Sequence, residues 1–177
     1  MSKDEINSST RLGFIGLGYL GSRIARRLIA AGFPVTVFDR NQAKAAQLSA
    51  VGANVAADLA KLAGDVDVVL SCLRDDAAVE NVYFGTTKVL GAASRITTII
   101  ELSTVAPATA RRLHGAGAKL GISVLDVAIS GSTVAAESGT LTLFGGGDAQ
   151  VFGMPNQSFA QSRHSGSTWG QAVPARP

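Results

Sequence analysis

Three glycines near the start constrain this chain most. Gly16, Gly18 and Gly21 form G-x-G-x-x-G directly after the apolar run Leu12 to Ile15. A helical pattern follows, with Leu20, Ile24, Leu28 and Ile29 on one face. Phe33-Pro34-Val35-Thr36-Val37-Phe38 then reads as a second strand ending at Asp39. Each glycine has its own physical reason. Gly16 turns the chain sharply out of the strand, and Gly21 lets the helix pack close to it. Gly18 lacks a side chain, so a pyrophosphate can reach the backbone. The helix start, Tyr19-Leu20, presents free N–H groups and partial positive charge to such an anion. Asp39 stands 18 residues after Gly21, where its carboxylate can accept both hydroxyls of an adenosine ribose. Strand, glycine turn, helix, strand and terminal acid together form the pattern of a dinucleotide-binding unit.

The rest of the chain continues the alternation. Helices are predicted over 41–51, 75–83 and 106–120, with a helical turn at 58–62. Strands are predicted near 54–56 and over 66–72, 96–102, 122–129 and 140–144. Val66 to Cys72 is nearly continuous in apolar character, as a strand covered on both faces requires. Such alternation implies an α/β fold with a doubly wound, Rossmann-type, mostly parallel sheet. The expected domain is 11–148, after a disordered N-terminus at 1–10. From Ala149 to Pro177 there is no Asp, Glu or Lys, and three of the five prolines fall there. That tail reads as irregular.

Composition excludes several classes. The 177 residues carry a net charge of only +3, with no basic cluster interleaved with aromatics, so nucleic acid is not an expected partner. No apolar run approaches the roughly 20 residues needed to span a bilayer. Residues 1–10 lack the apolar core of a signal peptide. The single cysteine, Cys72, excludes an internal disulfide and fits a reducing, cytoplasmic setting. It reads as a structural thiol at a strand end rather than a nucleophile. No metal-ligand spacing is present.

Four motifs resemble the N-terminal domain of the β-hydroxyacid dehydrogenases. That family includes 3-hydroxyisobutyrate dehydrogenase and tartronate semialdehyde reductase and, more distantly, 6-phosphogluconate dehydrogenase and imine reductases. Gly13 to Gly21 is similar to G-F-I-G-L-G-x-M-G, with Leu20 in place of Met. Leu70 to Asp75 resembles a strand end closing on Leu-Pro-Asp, with Arg74 in place of Pro. Glu101 to Pro107 is close to D-x-S-T-x-x-P. Asp126 to Ser132 with Ala135 to Leu141 resembles D-A-P-V-S-G-G…A…G-T-L.

The resemblance implies cofactor contacts from Gly16, Gly18, Tyr19, Leu20, Gly21, Asp39, Arg40, Leu73, Arg74 and Thr104. It also implies a substrate-carboxylate site at Ser130, Gly131 and Ser132. A serine hydroxyl and free backbone N–H groups suit an anion, although Ser132 replaces a glycine and its Cβ would narrow the site. Asp39 favours NAD, because its charge repels a 2′-phosphate. NADP stays open through Arg40, which could pair with that phosphate if Asp39 turned away.

In that family a lysine moves the hydroxyl proton, from a long helix leading into a C-terminal helical domain. Here the last lysine is Lys119 and no K-x-x-x-N follows. No catalytic residue is therefore assigned, and His114 and His164 are the remaining rings suited to acid–base work. The expectation is a truncated dehydrogenase: the cofactor domain of an oxidoreductase acting on a small hydroxyacid or semialdehyde, inactive as it stands. A non-catalytic nucleotide-binding module is the alternative.

Overall fold

The computed structural model describes residues 6–85 and 87–147; the tail expected after residue 148 and His164 lie outside them. Among the described residues, seven strands and seven helices follow in order. They are β1 (Leu12–Ile15), α1 (Tyr19–Ala30), β2 (Val35–Phe38), α2 (Gln42–Ser49), β3 (Asn54–Val55), α3 (Leu59–Asp65) and β4 (Val68–Ser71). Then come α4 (Asp76–Tyr83), α5 (Val89–Ala92), β5 (Thr98–Glu101), α6 (Pro107–Lys119), β6 (Ser123–Ser130), α7 (Thr133–Ser138) and β7 (Thr142–Gly147). The strands form one sheet in the order β3-β2-β1-β4-β5-β6-β7. All neighbours are parallel except β6 and β7. The order reverses between β1 and β4, and an open α/β sheet leaves a crevice for a ligand at such a switch point.

Every residue of β1, β4 and β5 is buried. Side chains alternate across the sheet, which divides the core in two. Leu12, Phe14, Val68, Leu70 and Ile100 face the side of Ala25, Leu28 and Leu48. Ile15, Val69 and Ile99 face that of Leu62, Tyr83 and Leu113. Burying one such large side chain contributes about 1.5–3 kcal/mol.

Local chemistry sets the helix ends. Asn41, Asp58 and Asp75 cap α2, α3 and α4 by accepting from backbone N–H groups. Pro107 opens α6, where its missing N–H costs nothing. Three features differ from the sequence reading. The helical turn at 58–62 belongs to a helix that runs to Asp65. Helices α5 and α7 form where no helix was read, because four and six residues are too short to show a period. At the polar start, residues 6–10 form a turn closed by the Thr10 N–H on the Asn7 carbonyl at 2.9 Å, and Ile6 packs on the core.

Candidate functional site

The glycine turn lies at the carboxyl end of β1. Gly16 has φ +93°, and a Cβ there would stand 2.3 Å from the Cys72 carbonyl oxygen. A Cβ on Gly21 would stand 2.1 Å from the Gly16 carbonyl oxygen. Both positions require glycine for the fold itself. Gly18 differs: its φ is −68° and a Cβ would meet nothing within 4 Å. Among the described residues nothing demands glycine there. The open space beside the backbone fits a ligand that approaches from outside, and a pyrophosphate is such a ligand. Gly18 also N-caps α1 without a side-chain cap, and no acid sits in the first turn to compete with an anion. Tyr19, at 85% exposure, flanks this opening.

Asp39 follows β2 and reaches back over the turn. Its Oδ2 accepts from the Leu17 N–H at 2.7 Å, and its Oδ1 from the Asn41 N–H at 2.8 Å. The acid therefore braces the glycine turn, a role not visible in the sequence. Each oxygen retains a lone pair for a ribose hydroxyl. Arg40, the next residue, is exposed.

The ends of β4 and β5 supply the next wall. The Leu73 N–H donates to Ser103 Oγ at 2.7 Å. Arg74, 81% exposed, pairs with Asp75 at 2.8 Å and holds that carboxyl below its ordinary value. Thr104 is exposed beside them. Beneath lies a buried polar cluster to which the sequence reading assigned no role. Glu101, 2% exposed, accepts from Ser71 Oγ at 2.6 Å, from the Ser103 N–H at 2.9 Å and from Ser103 Oγ. Ser71 Oγ also meets the fully buried Tyr83 hydroxyl at 2.5 Å. Burial raises the Glu101 pKa, and the serine hydrogen bonds oppose the rise. The available signal was a glutamate closing the apolar run Thr98-Ile99-Ile100, a costly place for a charge without partners.

Cys72 lies next to the turn, and burial pushes its thiol up to about 11. It is a thiol rather than a reactive thiolate at neutral pH, in keeping with the structural role expected. His114, on α6, lines a shallow cleft with Thr109, Leu113 and Asp126. Among the described residues no group of three or more His, Cys, Asp or Glu could hold a metal ion. Nor is any helix among them long and apolar enough to cross a membrane.

Ser130, Gly131 and Ser132 sit exposed at the end of β6. Gly131 has φ +143°, outside the range that side chains favour. The Ser132 hydroxyl caps α7 by accepting from the Ala135 N–H at 3.3 Å. Helix α7 docks on α1 through Arg23 and Glu137, 2.6 Å apart. An Arg27 N–H also donates to the Glu137 carbonyl oxygen at 3.4 Å. The two ends of the candidate site are thus joined by the helix that follows the glycine turn.

The turn, the switch point and the strand-two acid define a dinucleotide-binding Rossmann domain. More narrowly, the family described as the NAD binding domain of 6-phosphogluconate dehydrogenase matches residues 11–162, and the chain belongs to it. It is 38% identical over 141 residues to the NAD-dependent L-serine dehydrogenase of Pseudomonas aeruginosa, covering 80% of this chain and 47% of that protein. The Mycobacterium tuberculosis 3-hydroxyisobutyrate dehydrogenase, solved with L-serine, superposes with a TM-score of 0.75 at 30% identity. That match covers 81% of this chain and 48% of the other. A structure described as Psf3 in complex with NADP+ and 2-OPP gives a TM-score of 0.77 at 34% identity, over 80% and 50% of the two chains. The chain spans about half the length of these relatives.

Proposed function

We propose that this chain is the cofactor half of an oxidoreductase acting on a small hydroxyacid or semialdehyde in the cytoplasm. The carrying observation is the open space at Gly18, which no packing contact explains, between Gly16 and Gly21, which packing demands. In this reading Gly16, Gly18, Tyr19, Leu20 and Gly21 hold the pyrophosphate. Asp39 receives the adenosine ribose, Arg40, Leu73 and Arg74 border the adenosine, and Thr104 meets the nicotinamide end. The nicotinamide, when bound, supplies a two-electron hydride carrier. Ser130, Gly131 and Ser132 present hydroxyls and N–H groups to a substrate carboxylate. The Ser132 hydroxyl accepts from the Ala135 N–H in the cap of α7 and keeps its own hydrogen to donate.

Hydride transfer at a hydroxyl carbon also needs a group to take the hydroxyl proton. In the family resembled, a lysine of the helical domain that follows the cofactor half takes that role. In this reading Asp39 favours NAD over NADP, since a carboxylate at the adenosine ribose repels a 2′-phosphate.

The test is a fluorescence titration of the purified chain with NADH and NADPH. Saturable NADH binding, weakened about tenfold or more by Asp39→Ala, supports the reading. Absence of binding to either cofactor overturns it, and tighter NADPH than NADH overturns the preference.

A further inference from the structure

The loops after β4 and β5 are joined through one buried carboxylate, and the direction of each hydrogen bond follows from its partners. Ser103 Oγ accepts from the Leu73 N–H, so its own hydrogen is free to point to Glu101 Oε1. The same oxygen takes the Ser103 N–H. Ser71 Oγ donates to Oε2, which leaves it to accept from the Tyr83 hydroxyl. Every donor in the cluster thus runs toward Glu101. The carboxylate is a common sink with two acceptor oxygens and no hydrogen of its own to give. No buried side-chain nitrogen or oxygen among the described residues is left unpaired.

We propose that Glu101 is a positioning residue for cofactor binding: it touches no cofactor, but orients Ser103 so that the Leu73 loop and the Thr104 loop are held in register at the rim of the site. The inference rests on the reading that these loops border the cofactor. A glutamine of the same size cannot serve both sides. If its NH2 faces Ser103, it meets the Ser103 N–H as donor against donor. If it faces Ser71, that serine accepts from it and can no longer donate to residue 101, so one of the Ser71 and Tyr83 hydroxyl hydrogens loses its acceptor. A shorter carboxylate keeps the polarity, so Glu101→Asp is the conservative rescue.

The test uses the full chain with NADH as the probe, together with amide hydrogen exchange at Leu73. Glu101→Gln is expected to weaken NADH about fivefold and to speed Leu73 exchange, while the protein still melts cooperatively. Glu101→Asp should restore affinity to within about twofold of the parent. Ser103→Ala, which removes the Leu73 acceptor and one donor to Glu101 but leaves the backbone N–H on the carboxylate, should weaken NADH to a similar degree and gives a second variant should Glu101→Gln fail to fold. Gly18→Val separates the two levels, because it fills the pyrophosphate opening and leaves the cluster intact. Loss of binding in Gly18→Val, with Glu101→Gln and Ser103→Ala at parental affinity, overturns the role of Glu101 alone. Unchanged binding in Gly18→Val overturns the cofactor reading and this inference with it. Unchanged Leu73 exchange in Glu101→Gln overturns the relay whatever the cofactor does.

Discussion

Replacing Gly18 and Gly21 separately by alanine distinguishes a glycine kept for a ligand from one kept for packing. At Gly21 the new Cβ would lie 2.1 Å from the Gly16 carbonyl oxygen, a backbone atom. Relief requires about 1 Å of movement between α1 and the turn, and overpacking of this kind costs about 1–3 kcal/mol. Alanine's better helix propensity returns up to about 1 kcal/mol of that. A net loss of about 1–2 kcal/mol lowers Tm by roughly 5 °C in a chain of this size. At Gly18 the backbone is already in a region open to alanine, and no atom stands in the way. Loss of unfolded-state freedom then offsets the weaker N-cap that alanine makes, and stability changes by less than about 1 kcal/mol. Thermal melts followed by circular dichroism, paired with NADH titrations, read both effects. Gly18→Ala should leave Tm nearly unchanged and weaken NADH, whereas Gly21→Ala should lower Tm. Equal Tm losses in the two variants, or a Gly18→Ala protein that binds NADH as the parent does, would refute the division.

Three further outcomes follow from the same geometry. With its thiol raised to about 11, Cys72 should react with a disulfide reagent at about pH 8 roughly a hundredfold slower than an unperturbed thiol, from thiolate fraction alone; a free-cysteine rate would contradict its burial. Asp67 is held below its ordinary 3.8 by the Arg11 guanidinium, so their stabilisation is complete above that value and lost as pH falls through the lowered one. The gap in denaturation midpoint between the parent and Arg11→Gln should therefore close on acidification below about pH 4, and a gap constant with pH would show that Asp67 is not its source. Tyr83→Phe removes one buried hydroxyl from Ser71 while Glu101 keeps its donors, so it should cost about 1 kcal/mol in chemical denaturation, and a loss above about 3 kcal/mol would mean that the ring, not the bond, is disturbed.

Much of the fold was legible because its signals are local. Thr98-Ile99-Ile100 and Val66 to Leu70 announce buried parallel strands through β-branched and apolar runs. Pro107 and Asp75 mark helix starts through φ and capping chemistry. Helices α5 and α7 were illegible because one or two turns carry no periodicity. The bracing role of Asp39 was hidden as well: the spacing places an acid near the ribose, but its bond to Leu17 spans 22 residues and exists only once β2 lies beside β1.

By itself the sequence determined the glycine turn and the alternating order of elements, because φ, steric access and apolar period are properties of a few adjacent residues. The strand-two acid belongs with these. Only the tertiary structure decided that Ser71, Glu101 and Ser103 form one cluster. Ser71 and Glu101 are 30 residues apart and meet through the register of β4 with β5. The docking of α7 on α1 through Arg23 and Glu137, 114 residues apart, was decided in the same way. Such contacts depend on which strands become neighbours, and that choice is made by the sheet as a whole when it buries both of its faces.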